Sequence, residues 1–261
     1  MQISQFIHTM YYLVNTQYRI FLQTIKDKYI DLFIWVIAMA AVTIYLLPSF
    51  GLATSYGTFM IASMAASAGL FEQFSSTVNL IGDFEGDNIT SFYLTLPMPS
   101  WMVFLSYGIF YAFNTMVLTA FVLPISKLIF WNHLNVSQLN VLKYGLMLFA
   151  TSSFYASFTL WMASFVASLQ RVGSVWMRFT FPIWTFGAFQ YSYAVLFDLN
   201  PWLGYASLLN PMTYVMEGTR AAVLGQEGSL NVWMCIALTF IFSLLFASHG
   251  IYRIKRRLDY V

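Results

Sequence analysis

The chain has 261 residues, of which 59% are hydrophobic, 20% aromatic and only 8% charged. A soluble domain carries about 25% charged residues; here 12 Lys and Arg with 10 Asp and Glu cannot solvate a fold of this size, and the mean hydropathy of +0.69 agrees. Composition excludes a soluble enzyme, a disordered chain and a disulfide scaffold, and leaves an all-α, polytopic integral membrane protein. A net charge of +2 is too small to suggest nucleic acid as a partner. The lone Cys235 excludes an internal disulfide and any Cys-based metal cluster.

Residues 1–28 carry Ile3, Ile7, Met10, Val14, Tyr18, Phe21 and Ile25 at steps of three and four, one face of a cytoplasmic amphipathic helix. Such a helix either anchors the terminus in the membrane interface or contacts a cytoplasmic partner. Arg19, Lys26 and Lys28 follow its apolar part, the reverse of the order in a cleavable signal. The rest of the chain, 29–261, reads as one transmembrane domain. Crossing a hydrocarbon core of about 30 Å takes about 20 apolar residues. Residues 29–48, 52–73, 101–130, 142–169 and 232–252 meet that length, and 179–197 is slightly short but uncharged. The third and fourth exceed a perpendicular crossing, so they tilt or project.

Within the second stretch, Ala62, Ser63, Ala65, Ala66, Ser67, Ala68 and Gly69 form small-xxx-small pairs that allow close helix approach. In the fourth, Phe154, Phe158, Trp161 and Phe165 form a stripe that packs on lipid or on another helix. Six spans with a cytoplasmic N-terminus put Arg19, Lys26, Lys28, Arg171, Arg178, Arg253, Lys255, Arg256 and Arg257 inside. Lys127, Lys143 and Arg220 then fall outside, and this bias places both termini in the cytoplasm. The inside loop 74–97 dissents, with Asp83, Glu85 and Asp87 and no basic residue, which points to a separate task. Glu72 and Lys143 sit near span ends, leaving no relay or coupling-ion site for a channel or secondary carrier.

After the fifth stretch, Asp198-Leu-Asn200-Pro201 makes a turn. Asn210 is a favoured helix N-cap, and Pro211 fits the first turn, where a missing N–H costs nothing. The helix they open should stop at Gly225. Its fourteen residues rise only about 21 Å, and Glu217 and Arg220, three apart, can pair on one face. Crossing here would also throw the 253–257 basic cluster outside. A re-entrant or interfacial half-helix on the external side is cheaper, provided protein buries its polar ends.

No G-x-x-x-x-G-K-[ST] loop is present, so the chain does not hold ATP in that way. His8, His133 and His249 fall in a cytoplasmic helix, an external loop and a span, and make no metal cluster. An intramembrane serine protease would need a glycine-flanked nucleophile, and Ser152, Ser153, Ser157 and Ser164 have no neighbouring glycine. Asn88-Ile-Thr90 and Asn135-Val-Ser137 match the glycosylation triplet at a frequency chance allows.

The layout resembles the permease subunits of type-2 ABC exporters. Leu209-Asn210-Pro211-Met212-Thr213-Tyr214-Val215-Met216-Glu217-Gly218-Thr219-Arg220 is similar to the family's N-P-x5-E-x2-R signature, common in polysaccharide-exporting members. Phe84-Glu85-Gly86-Asp87-Asn88-Ile89-Thr90-Ser91-Phe92-Tyr93-Leu94-Thr95-Leu96-Pro97 resembles the E-x-G-T-x-E-x-L-x-x-T-P region that docks on the ATPase. Asp87-Asn88 replaces the usual Gly-Thr, and Leu96 separates Thr95 from Pro97.

The resemblance implies a homodimer in the inner or plasma membrane, with two copies of a separate ABC ATPase. That subunit would hold ATP and Mg, so this chain would bind no cofactor and would not be an enzyme. Asp83, Phe84, Glu85, Gly86, Asp87, Phe92 and Tyr93 would couple to it, offering charge for steering and an aromatic anchor. A 170–178 turn would be a second contact. Asn210, Pro211, Glu217 and Arg220 would form the external half-helix. The aromatic-rich fifth stretch offers Trp184, Phe189 and Tyr193 as a candidate translocation path for an amphiphile: a lipid-linked glycan or polysaccharide, a lipid or a hydrophobic drug. Membrane lipid is the remaining partner. Two other classes stay open: an ion-coupled carrier or channel, and a non-transporting scaffold subunit. If Glu217 and Arg220 only fix the half-helix, exchanging their charges should restore part of what either single change loses.

Overall fold

A computed structural model gives the fold of residues 3–258 except 54, 132, 133 and 135, with the side chains of 3–6 and 20 left aside. His133, Asn135 and the Ile3 side chain thus lie outside the described residues. The helices are α1 (Ile3–Ala41), α2 (Leu47–Ser49), α3 (Ser55–Ser67), α4 (Gly69–Gly82), α5 (Ile89–Thr95), α6 (Ser100–Ala120) and α7 (Val122–Ile129). They continue as α8 (Val141–Phe165), α9 (Leu169–Val175), α10 (Phe181–Thr185), α11 (Tyr193–Leu199), α12 (Pro201–Ser207), α13 (Pro211–Leu224) and α14 (Val232–Leu258). Three π-helical turns, Val42–Leu46, Asp83–Asp87 and Trp176–Thr180, lie between them. Among the described residues there is no strand.

Among the described residues, four segments are long and apolar enough to cross a bilayer: Phe21–Ser49, Ser100–Ile129, Val141–Phe165 and Val232–Leu258. The amphipathic leader is not a separate helix. α1 contains no Gly or Pro and runs unbroken past residue 28 into the first apolar stretch. Its buried face is Met10, Leu13, Gln17 and Phe21, while Ile7 and Tyr18 are exposed. Met10 and Leu13 pack on Met102, and Phe21 meets Phe113 edge-on at 5.9 Å. Contact with α6 therefore selects a face offset from the stripe that periodicity predicts. Beyond α1, the π-turn before Pro48 has a cause. Proline has no N–H, and its ring collides with the carbonyl four residues back, so the ladder widens. Pro182 follows the π-turn Trp176–Thr180 in the same way.

The second predicted span is two helices. α3 and α4 meet at Ala68, and the Tyr155 hydroxyl donates to the nearby Ala66 carbonyl at 2.9 Å. Ala62, Ser63, Ala65, Ala66 and Ser67 are all buried, as tight packing requires. α4 runs ten residues past Glu72 to Gly82, about 15 Å at 1.5 Å per residue. Glu72 sits in the first turn of α4, so helix continues past the end of the predicted stretch, and it meets Lys28 of α1 there.

The fifth predicted span is interrupted. Helix continues from Leu169 through the π-turn to Thr185, so the predicted 170–178 turn is helical, held by buried Val172 and by Trp176 on Phe74 at 5.5 Å. Residues 186–192 are irregular, with Ala188 at φ 63°. α11 follows, then Asn200 caps the first turn of α12 by accepting from Trp202 N at 3.0 Å, where a bare turn was expected.

At the centre, α8 packs on α14, α6, α4 and α13. The aromatic stripe faces a helix: Phe154, Phe158 and Trp161 meet Phe246 at 5.9, 5.5 and 4.9 Å. At Gly250 the two backbones nearly touch, and a Cβ there would stand 2.8 Å from Trp161 N. Lipid offers no hydrophobic drive for helix pairing, so van der Waals contact of this kind holds the bundle. α8 ends at Phe165, before the predicted 169. Arg257 of α14 donates to the carbonyls of Ala163, Val166 and Ala167 at 3.2, 2.6 and 3.1 Å, which caps it.

Candidate functional site

The half-helix α13 runs Pro211–Leu224, and every residue through Val223 is buried. Asn210 caps it by accepting from Met212 N at 3.0 Å, and its amide donates to the Ile183 carbonyl at 2.7 Å. Thr213 donates to the Ser207 carbonyl and Tyr214 to the Leu208 carbonyl, both at 2.7 Å. Gly218 sits where a Cβ would stand 2.7 Å from both Met147 Sδ and Cys235 Cβ, so α13 presses directly on α8 and α14.

Glu217 and Arg220 pair one turn apart, at 0% and 1% side-chain exposure. Glu217 also accepts from Tyr193 N at 2.8 Å and Leu230 N at 3.2 Å. Arg220 donates to the Ala188 carbonyl at 2.6 Å and Ser63 Oγ at 2.9 Å, and its guanidinium lies 4.4 Å from the Phe59 ring centroid. Burial pushes the Arg220 guanidinium below its ordinary value, and Glu217 pulls it back up. Irregular backbone buried away from water must find partners within protein. α13 supplies them for the segment between Ile183 and Leu230. In chemical terms the pair is a backbone clamp: both carboxylate oxygens and both terminal guanidinium nitrogens are committed to the chain, and only Arg220 Nε lacks a partner.

The acidic loop is equally ordered. Asp83 accepts from Ile89 N at 2.6 Å and Thr90 N at 2.9 Å, so it caps α5 across the left-handed Asn88. Phe84 lies under the Arg257 guanidinium at 5.3 Å. Glu85 accepts from Leu169 N at 3.2 Å, joining the loop to the start of α9. The Gly86 carbonyl accepts from Asn88 Nδ2 at 2.9 Å. Tyr93 packs inward beside Met98 and Met102, whereas Asp87, Ile89 and Phe92 are exposed. Sequence reading missed Ile89, three residues before Phe92; their i, i+3 spacing was the available signal.

Of the aromatics proposed to line a path, Trp184 and Phe189 pack on each other at 4.5 Å, and Phe189 is buried in the main core. Tyr193 lies beyond the break, beside Phe197 at 5.8 Å, with its amide on Glu217. Sequence reading also missed Lys28 and Glu72 as a pair; no local signal links residues 44 apart. Lys28 Nζ lies 2.7 and 2.8 Å from the two Glu72 oxygens, and Ser76 donates to Oε1 at 3.1 Å.

Several long apolar helices around buried polar clamps define an α-helical, multi-pass membrane protein. Comparison with protein-family models finds no match, and comparison with curated proteins finds none either.

Proposed function

We propose that the chain is the permease subunit of a type-2 ABC exporter, acting as a homodimer with two copies of a separate ABC ATPase. In this reading it crosses the inner or plasma membrane six times, with the α3–α4 pair and the broken 169–199 segment as the second and fifth passages. Both termini and residues 74–97 face the cytoplasm. The cargo is an amphiphile moved outward: a lipid-linked glycan or polysaccharide, a lipid or a hydrophobic drug. ATP and Mg belong to the partner.

The observation that carries this reading is the loop 83–95, whose inner side is tied down by Asp83 and Glu85 while Ile89 and Phe92 stay exposed. A rigid platform with an uncovered apolar pair suits docking on a groove, since an aromatic anchor such as Phe92 carries a large share of interface energetics. Co-purification tests it: an ABC ATPase should accompany the chain, with turnover stimulated by it. A chain isolated from its native membrane without any ATPase would sink the proposal. For topology, single cysteines in a Cys235→Ser background should label near Arg256 only after permeabilisation.

An ion-coupled carrier is the second reading, favoured by the Lys28–Glu72 pair between α1 and the first turn of α4, because ionisable residues at membrane depth mark ion or proton pathways. Proton-driven uptake or efflux by the chain alone, abolished by Glu72→Gln, would establish it over the exporter. A scaffold subunit would show neither transport nor ATPase.

A further inference from the structure

We propose that a cavity at the shared end of α8 and α14 binds the phosphate-bearing headgroup of an anionic phospholipid. The cavity, about 570 Å³, lies between the last residues of α8 and the final turns of α14, where His249, Tyr252, Arg253, Arg256 and Arg257 line it. No carboxylate is among its lining residues.

Its donors are set in advance. The Arg253 guanidinium lies 4.0 Å from the Phe165 ring centroid. That stack fixes the plane of the group and leaves its edge for two phosphate oxygens, the bidentate geometry that distinguishes Arg from Lys. Arg257 already satisfies the carbonyls of Ala163, Val166 and Ala167, so the negative end of α8 is covered where an anion would otherwise meet it. Arg257 also feels the field of Glu85 and serves as wall rather than ligand. His249 accepts from the Trp161 indole on Nδ1 at 3.0 Å. Its other nitrogen, Nε2, then carries the proton and is a donor. Arg256 and Tyr252, 3.3 Å from each other, flank the opening.

The surroundings select a lipid over a free anion. One to two turns beyond His249 on α14, Leu245, Leu244 and Ile241 are exposed at 56%, 70% and 50%, so an apolar track leads away from the basic end. A phosphate followed by acyl chains matches that sequence of surfaces, and basic pockets between transmembrane helices are where anionic headgroups settle.

The test titrates the full chain, purified in neutral detergent, with phosphatidylglycerol, phosphatidylcholine and inorganic phosphate in separate arms. Native mass spectrometry reads bound lipid and thermal unfolding reads stabilisation. Phosphatidylglycerol should bind and raise Tm, while the other two should do neither. Arg253→Gln with Arg256→Gln should weaken phosphatidylglycerol binding about tenfold or more, as expected for two basic residues at a membrane surface. Arg171→Gln with Arg178→Gln, which removes an equal charge from the exposed 169–180 helix, should bind as the parent does. Equal binding of both lipids, unchanged affinity in the Arg253 and Arg256 variant, or saturation by phosphate alone would overturn the proposal. The comparison of lipids on the parent chain decides the matter even where a variant fails to fold.

Discussion

Lys28 of α1 and Glu72 of α4 hold each other through two hydrogen bonds of 2.7 and 2.8 Å, with Glu72 5% exposed. Removing one partner leaves a charge in apolar surroundings. Glu72→Ala should lower stability by about 2–4 kcal/mol, below the full range for a buried pair because Lys28 keeps some solvent access. Lys28→Met with Glu72→Leu should recover most of that, since an apolar pair of similar volume replaces a buried ion pair at little cost. Thermal unfolding in detergent measures both. A double variant as unstable as the single would show that the charges matter for something other than each other.

The α13 clamp behaves differently. Glu217→Ala would free the amides of Tyr193 and Leu230 and strand Arg220, a loss of about 3–5 kcal/mol. The rescue by charge exchange that spacing alone suggests does not follow from the geometry. Glu217 faces backbone donors, and Arg220 faces the Ala188 carbonyl and Ser63. Exchange would set donor against donor and acceptor against acceptor. Glu217→Arg with Arg220→Glu should therefore unfold no later than the worse single change, by the same thermal assay.

In the loop, Phe92 is exposed at 60%, so Phe92→Ala should leave Tm unchanged. On the exporter reading it should weaken capture of the ATPase by about 1–3 kcal/mol, the range for a buried aromatic anchor. Glu85→Lys is no mere rim change: it removes the acceptor of Leu169 N and should lower Tm as well as slow association. Pull-down with and without salt, beside a melting curve, separates the two effects.

Close contact at glycines gives a graded pair. Gly250→Val would drive a side chain into the backbone of α8, which cannot yield, and should cost about 1–3 kcal/mol or more by overpacking. At Gly218 an Ala methyl meets Cys235 Cβ, but also the flexible end of Met147, so Gly218→Ala should cost less. Unfolding midpoints of the two variants check the order.

Local chemistry was legible in the sequence and distant chemistry was not. Asn210, Pro211 and Gly225 mark the ends of α13 through cap preferences that act within a turn. The break at 186–192 escaped because its partners are remote: Arg220 reaches Ala188 and Asn210 reaches Ile183 across about 30 residues. Periodicity found the leader helix but not its buried face, which α6 selects. The second stretch looked finished at residue 73 because a hydropathy window closes at a charge, although α4, with Glu72 in its first turn, continues to Gly82.

Gly250 also limits how the molecule can change shape. Sliding between packed helices needs a layer of side chains that can re-seat from one arrangement to another. Between α8 and α14 that layer is missing at the crossing, and Gly218 keys α13 to the same two helices. These three elements form a single rigid spar. Displacement then falls to α1, which lies outside that spar and whose grip on α4 includes one ion pair: a lever leaning on a fixed frame.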